Sequence, residues 1–408
     1  MSSANELPCR RPMSGRQMVC MTWAAPASLT AMDTAQSTTV GKTMRIVSYN
    51  ILAQSLVKHG PFQHVRHHLR ALKHRVASLV SELSSYDADV LCLQEDDMSD
   101  SMSRLLSCVD TGSGTSRSYT IVNSHRPRKA DGCSIYYDDT RFSLASAFSL
   151  SFDMIAPYVV QACRPKYIRH NIGLGVVLKE EASGCLMLVA NCHIQWSPAL
   201  TEVKLAQVVW MATVVQQLAN EVYHCPVLWA GDFNSLPNSS VYSFLASSGV
   251  SLRGFPEFEK YLSLDFAIEH RALHAAEAPF LPHPPFAADI RSVGLRSAMS
   301  AYRTVSSPLL LPQSRSNLPP RYHMNHILSR ETAAKEHARL GDNEPEYTNF
   351  SSDFVGTLDY IWVSPANVSV CAVAELLPEA FIKLHTALPL PQFSSDHLAL
   401  VADVRIHW

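Results

Sequence analysis

Six segments carry polar side chains at the edges of apolar runs, where packing alone would not place them. Ser48-Tyr49-Asn50 ends a short run on an amide, and Leu91-Cys92-Leu93-Gln94-Glu95 ends another on a carboxylate. Leu228-Trp229-Ala230-Gly231-Asp232-Phe233-Asn234 ends a third in Asp-x-Asn. His193 follows the run Leu186–Cys192, Asp359 enters Tyr360–Val363, and Ser394-Ser395-Asp396-His397 precedes the last run. Each has an ordinary reading: Asn50 as a turn former, Glu95 as a solvated charge, Asp232 with Asn234 as a turn or helix cap, Asp396 with His397 as a capping pair. All six flanking apolar runs is a pattern those readings do not explain. Carboxylate and amide oxygens suit Mg²⁺, a hard ion that binds through one or two carboxylates plus substrate phosphate. A histidine with an aspartate partner can hold a fixed protonation state beside a phosphate that is gaining charge. Zinc would call for more His and Cys, and no HExxH occurs. The chemistry indicated is metal-assisted phosphodiester hydrolysis.

For these groups to meet, the runs must be strands whose ends share one sheet edge. Strands are predicted at Arg45–Tyr49, Val90–Leu93, Tyr119–Val122, Cys133–Tyr137, Leu174–Leu178, Leu186–Cys192, Val227–Ala230, Tyr360–Val363 and Leu398–Ile406. Leu69, Leu72, Val76, Leu79, Val80 and Leu83 recur at three- and four-residue steps and predict an amphipathic helix over 62–85. A second long helix is predicted from about 202 to 223. Hairpin-like runs among helices indicate an α/β protein with mixed sheets. Residues 1–43 lack periodicity and carry Arg10, Arg11, Arg16 and Lys42 against Glu6 and Asp33, which predicts a disordered tail. The catalytic domain is expected to fill 44–408. A proline-scattered insertion of about 279–345, around one short helix near 329–340, is too long for an ordinary loop.

Charged residues make up only 17% of the 408, against 47% hydrophobic, which excludes wholesale disorder. No apolar run approaches the ~18–20 residues of a spanning helix, so no membrane partner is expected. A net charge of −2 advertises no polyanion partner, although a nucleic-acid enzyme needs only one basic groove lining. The ten cysteines form no CxxC pair, and Cys92, Cys133 and Cys185 sit in strand-like runs as small buried hydrophobes. That usage favours a reducing compartment, the cytoplasm, while the arginine bias of the tail keeps the mitochondrion open. Sequons at Asn238, Asn349 and Asn367 read as chance. The run His64–Arg75 reads as the solvated face of its helix, and Trp196, Trp210, Trp229 and Trp362 read as core.

The segments SYNILAQ, LQE, KADGC, NCHIQWSP, GDFNSLP, LDYIW and SDHLAL stand in the order seen in the endonuclease/exonuclease/phosphatase superfamily. Within it the chain most resembles the carbon-catabolite-repressor-type poly(A) deadenylases, relatives of nocturnin, the Angel proteins and a 2′,5′-phosphodiesterase. HIQWSPALTEVKLAQ, Ser300-Ala301-Tyr302 and EPEYTNF followed by DFVGTLDYIW pull toward that branch. The resemblance spans about 44–408. It implies a two-sheet α/β sandwich with mixed strands and a Mg²⁺-dependent 3′-5′ exoribonuclease (Mn²⁺ as an alternative ion, two ions during turnover) that releases mononucleotides from mRNA tails. Glu95 would be the principal metal ligand with Asn50 beside it. Asp232 would orient or deprotonate water and Asn234 would hold the scissile phosphate. His397, oriented by Asp359, and His193 would stabilise the growing charge. Pro198 and Phe354 resemble a pair that sandwiches the terminal base, Asn171 a site-lining residue, and Lys129 a phosphate contact.

Two departures stand out: Cys192 replaces a usual threonine, and a serine replaces the usual proline before Ser-Asp-His. Neither touches a proposed ligand or base. The leucine-rich-repeat region of several deadenylases is absent, so docking onto deadenylation-complex proteins would need another route. RNA with a 3′ adenosine tract is the expected partner. The alternatives are a 2′,5′-phosphodiesterase or nocturnin-like dinucleotide phosphatase, which differ in what grips the base. A sphingomyelinase or inositol-phosphate phosphatase would fit the metal residues but not the base clamp. An inactive RNA-binding adaptor should lack Glu95, Asp232 or His397, and all three are present.

Overall fold

The computed structural model describes residues 40–59, 62–106, 117–159, 161–246, 295–301, 344–374, 376–377, 385 and 387–408. The predicted tail up to residue 39, most of the predicted insertion (279–294 and 302–343, including the helix near 329–340) and Tyr302 lie outside the described residues.

In chain order the strands are β1 (Val40–Asn50), β2 (Val90–Gln94), β3 (Tyr119–His125), β4 (Gly132–Asp138), β5 (Phe142–Ser151), β6 (Ile172–Glu180), β7 (Leu186–His193) and β8 (Val227–Asp232). After them come β9 (Arg296–Ser297), β10 (Asn349–Phe350), β11 (Val355–Gly356), β12 (Asp359–Val363), β13 (Val368–Val373) and β14 (Leu400–His407). The helices are α1 (Gln54–His59), α2 (Leu72–Ser85), α3 (Ser99–Leu106), α4 (Arg164–Tyr167), α5 (Thr201–Gln217) and α6 (Ser240–Ala246). One six-stranded sheet has the order β13-β14-β1-β2-β4-β3, and the other β5-β6-β7-β8-β12-β9. Both are mixed: β1 runs parallel to β2 and β7 to β8, with antiparallel neighbours elsewhere. This is the expected α/β sandwich.

The layers follow from alternation along each strand. In β8, Leu228 and Ala230 face the other sheet, packing with Ile46, Val90 and Cys92, while Val227 and Trp229 face α5. Strand β12 does the same with Ile361 and Val363 inward and Tyr360 and Trp362 outward. On the other flank Val47, Tyr49, Leu91 and Leu93 meet Val76, Leu79 and Leu83 of α2. Strands covered on both faces read as continuous apolar runs, which is why the sequence marks them so clearly. The serine-rich β5, at a sheet edge, was not predicted because Ser143, Ser146 and Ser149 break the apolar pattern. The helix predicted over 62–85 is divided: a 3₁₀ turn at His67–Arg70 is separated from α2 by an extended Ala71. Cys92 and Cys133 are buried as expected, whereas Cys185 lies just before β7 and is only half-buried. No helix among the described residues is long and apolar enough to cross a membrane.

One polar contact joins the sheets within this apolar interior. Gln94 Nε2 donates to Asn191 Oδ1 at 2.8 Å, and Asn191 Nδ2 donates to the carbonyls of Leu93 (2.8 Å) and Ser134 (3.0 Å). It ties β7 to β2 and β4, one residue from Glu95 and two from His193. Replacing Asn191 with Leu strands the Leu93 and Ser134 carbonyls, at about 1–3 kcal/mol for each buried group left unpaired. A loss of about 2–4 kcal/mol is therefore expected in urea unfolding; an unchanged midpoint would show that the sheets do not depend on this contact.

Candidate active site

The strand registers bring the polar ends together. His193 pairs with Asp232 across β7 and β8, and Asp232 pairs with Asp359 across β8 and β12, so three site residues lie abreast. Strand β8 reaches this position only because residue 231 is glycine: a Cβ there would lie 2.4 Å from the Cys192 carbonyl oxygen. From the other sheet, Asn50 pairs with Gln94, next to Glu95. Asn50 Nδ2 donates to Asp232 Oδ2 at 3.0 Å and to Glu95 Oε1 at 3.2 Å, so one amide bridges the two acids. Glu95 Oε2 accepts the Ala53 N–H at 3.0 Å. Glu95 itself adopts a left-handed φ of 57°, a strained backbone for a side chain of this kind.

His397 completes the group. Its Nδ1 lies 2.8 Å from Asp359 Oδ2, an oxygen that also accepts Thr348 Oγ1 at 2.6 Å. The Nε2 atoms of His193 and His397 stand 3.7 and 3.8 Å from Asp232 Oδ2. Asp232 Oδ1 accepts the Asn234 N–H at 2.8 Å, and Asn234 Nδ2 donates to the Ile194 carbonyl at 3.1 Å. Asn171 is buried and donates to the His193 carbonyl at 3.1 Å.

Burial separates the two imidazoles electrostatically. It lowers the His193 pKa below the ordinary value, an effect that the nearby Asp232 only partly offsets. The same burial acts on His397, but there the carboxylates of Asp359, Asp232 and Asp396 outweigh it and hold the pKa well above ordinary. At neutral pH one imidazole is neutral and the other cationic, an arrangement suited to two different tasks. Burial and the Asp396 charge push Glu95 up to about 7 despite its N–H donors from Ala53 and Asn50.

That buried, under-compensated carboxylate fits a divalent cation, which would offset its charge with hard oxygen donors from Glu95 and Asn50. Asp232, Asp359 and His397 also offer ligand atoms within 4.8 Å of one another. Asp359 and His397 Nδ1 already satisfy each other, so their contact serves the imidazolium. His193 Nδ1 and Asp359 Oδ1 are buried without hydrogen-bond partners among the described residues, as in a site shaped for something further.

Other expected positions lie around this centre. Pro198 and Phe354 are both exposed. Phe354 and Leu236 close together on Gly356, two residues beyond Asn234 in the case of Leu236. Lys129 is exposed on the turn between β3 and β4, and its ammonium takes no part in the cluster. Two readings are corrected. Trp196 is 69% exposed: strand alternation has ended, and the bonds of Ile194 N to Asp232 O and Gln195 N to Gln207 Oε1 pin its neighbours inward. Arg75 is buried, with guanidinium bonds to the carbonyls of Ile51, Leu52 and Ser394 and to Gln54 Oε1. It clamps the loop after Asn50 to the loop before His397. The sequence signal was its place four residues before Leu79, on the apolar stripe of the helix.

Sequence reasoning also passed over Lys204 and Gln207 of α5. Lys204 Nζ donates to the Asn234 carbonyl, and Gln207 Oε1 accepts the Gln195 N–H at 2.8 Å. Both lie inside the motif HIQWSPALTEVKLAQ, and polar residues inside an otherwise apolar helix are the signal that finds them.

The endonuclease/exonuclease/phosphatase family model matches residues 47–397. The chain belongs to this family. Its members hydrolyse phosphodiester or phosphate bonds and use divalent metals. Carbon catabolite repressor protein 4 homolog 1 of Arabidopsis thaliana is 26% identical over 384 residues, spanning 89% of this chain and 57% of the relative. The CCR4-Not complex 3′-5′-exoribonuclease subunit Ccr4 of Schizosaccharomyces pombe is 22% identical over 417 residues, spanning 93% of this chain and 51% of the relative. The chain thus covers little more than half the length of these curated relatives. A crystal structure of ANGEL2, described as a 2′,3′-cyclic phosphatase, in complex with adenosine-2′,3′-vanadate superimposes with a TM-score of 0.61. It is 24% identical and covers 90% of this chain and 97% of that one.

Arg75→Met is expected to lower stability by about 3 kcal/mol or more, since three carbonyls lose a charged donor. Urea unfolding measures it; an unchanged midpoint would mean those carbonyls find other donors.

Proposed function

We propose that the chain is a Mg²⁺-dependent 3′-5′ exoribonuclease that removes adenosine from the 3′ ends of RNA. The observation that carries this reading is the alignment of His193, Asp232 and Asp359 across three strands, with His397 and the Asn50–Glu95 pair closing on the same oxygen of Asp232. Water attacks the terminal phosphodiester in line: a new P–O bond forms as the bond to the 3′-oxygen of the preceding nucleotide breaks. Adenosine 5′-monophosphate leaves, and a shortened 3′-hydroxyl end remains. Asp232 orients the water and takes its proton. His397, cationic beside Asp359, donates from Nε2 to the oxygen gaining charge, and the neutral His193 and the Asn234 amide hold the phosphate. Mg²⁺ held by Glu95 with Asn50 beside it would neutralise negative charge on the phosphate oxygens. Lys129 and Asn171 line the path of the substrate.

Preference for adenine is assigned to Pro198 and Phe354, whose exposed faces offer a base a stacking partner worth ~1–3 kcal/mol. The likeness to a curated exoribonuclease subunit supports an RNA substrate and the 3′-5′ direction. With end-labelled RNAs, shortening of a 3′,5′-linked oligo(A) tail ahead of oligo(C) and oligo(U) tails is expected. Phe354→Ala should lose that preference by about fivefold or more while cleaving the other tails at their former rate. Equal losses on every base would argue against a clamp. Faster cleavage of 2′,5′-linked oligo(A) would make the chain a 2′,5′-phosphodiesterase. Hydrolysis confined to a terminal 2′,3′-cyclic phosphate would make it an end-processing phosphatase.

The opposed imidazoles give a second test. With Asp359→Asn the His397 cation loses its principal counter-charge, so its pKa falls toward ~6.5. The alkaline limb of the rate profile should therefore move to lower pH, with about a tenfold loss for each pH unit beyond the new pKa. A uniform loss across pH, with no shift of the limb, would show that Asp359 does not set the charge on His397.

A further inference from the structure

Beside the catalytic cluster lies an open groove of about 640 Å³ that the chemistry above does not use. Pro127 and Arg128 form part of its wall from the β3–β4 turn, and Pro157, Arg164, Ile168 and His170 come from the segment before β6. Its floor and sides are apolar where Ala156, Pro157 and Ile168 contribute, and Ile168 is exposed there. Its charge is cationic. Arg164 donates only to neutral carbonyls in the bonds seen, those of Val159 and Pro157, both at 3.3 Å. Arg128 is exposed on its turn. Asp153, the carboxylate in the wall, has both oxygens engaged: Oδ1 accepts the N–H groups of Arg169 (2.8 Å) and His170 (2.7 Å), and Oδ2 meets His170 Nδ1 at 2.5 Å. That contact fixes the ring and leaves Nε2 of His170 for another partner.

The groove joins the catalytic centre through the chain itself. His170 is followed directly by Asn171, which holds the His193 carbonyl. Arg126, two residues before Arg128, donates to the His170 carbonyl at 3.1 Å and pairs with Asp131. Both turns of the groove are thereby locked to each other and to the edge of the site. Arg128 and His170 each adopt a φ of 60°, a left-handed backbone uncommon for such residues, and both strained positions face this one groove.

Guanidinium groups over an apolar floor, next to a phosphodiester-cleaving centre, match the chemistry of one nucleotide: an anionic phosphate and a flat apolar face. We infer that this groove is a second nucleotide site, taking a nucleotide on the 5′ side of the scissile bond. Arg128, Arg164 and His170 contact its phosphate, and its base lies along Pro157 and Ile168. This inference rests on the exoribonuclease reading and adds to it a source of substrate-length dependence: the cluster alone handles the terminal phosphate, and the groove grips what precedes it.

The test compares wild type with the double variant Arg128→Ala/Arg164→Ala on single-stranded oligo(A) of two to eight nucleotides. Bis-p-nitrophenyl phosphate, which is too small to reach the groove, serves as the control. The variant should raise KM about tenfold or more on the longer oligonucleotides, leave KM for the dinucleotide near its wild-type value, and leave hydrolysis of the small diester unchanged. With chelator present to prevent cleavage, fluorescence anisotropy of labelled oligo(A) should show weaker binding by the variant and a shallower dependence on salt, by about one ion released per lost phosphate contact. Wild-type cleavage of oligo(A) with an unchanged KM in the variant would overturn the groove and leave the exoribonuclease reading intact. Wild-type hydrolysis of the small diester without cleavage of any oligonucleotide would overturn both. Equal losses of the variant on all substrates, the small diester included, would show damage to the site and overturn the assignment of the arginines to a separate nucleotide.

Discussion

One oxygen, Asp232 Oδ2, is the point on which the two sheets agree. Asn50 from the first sheet donates to it, and the Nε2 atoms of His193 and His397 stand just under 4 Å away. A carboxylate only 1% exposed pays a heavy desolvation cost unless its surroundings are arranged for its charge. The registers of β7, β8 and β12, the glycine at 231 and the Gln94–Asn191 contact all serve that arrangement. Shifting β8 by one residue would turn Asp232 to the opposite face and replace it at the site with an apolar neighbour.

The same constraint explains why polar groups cluster at one edge and nowhere else in the interior between the sheets. Asn191 and Gln94 satisfy each other across the sandwich, and Arg75 gathers the carbonyls of two loops that would otherwise be stranded. These groups hold the cluster still. Opposed shifts on two histidines then divide the labour: burial keeps His193 neutral, while three carboxylates keep His397 charged. A site preorganised in this way need not rearrange as charge moves during reaction.

Much of this was legible in the sequence because both faces of the central strands are covered. Val90–Leu93, Val227–Ala230 and Tyr360–Val363 are apolar without interruption, so the polar residue that ends or precedes each run stands out. The residues hidden from a linear reading are those whose role depends on a partner far along the chain. Arg75 looks like one more charge in a basic run, yet its acceptors include a carbonyl 319 residues away. Trp196 looks like core by type, and only the inward pinning of Ile194 and Gln195 turns it to solvent. The groove of Arg128 and His170 depends on two turns meeting, which no periodicity records.

The most direct measurement is the size of end-labelled oligo(A) after incubation with purified protein, in Mg²⁺ and in chelator, for wild type and Asp232→Asn. A ladder that forms with wild type in Mg²⁺ and vanishes in both controls is the expected result, because the asparagine keeps the shape of residue 232 but cannot take a proton from water. A ladder of undiminished intensity with Asp232→Asn, or in chelator, would contradict a metal-dependent centre built around that oxygen.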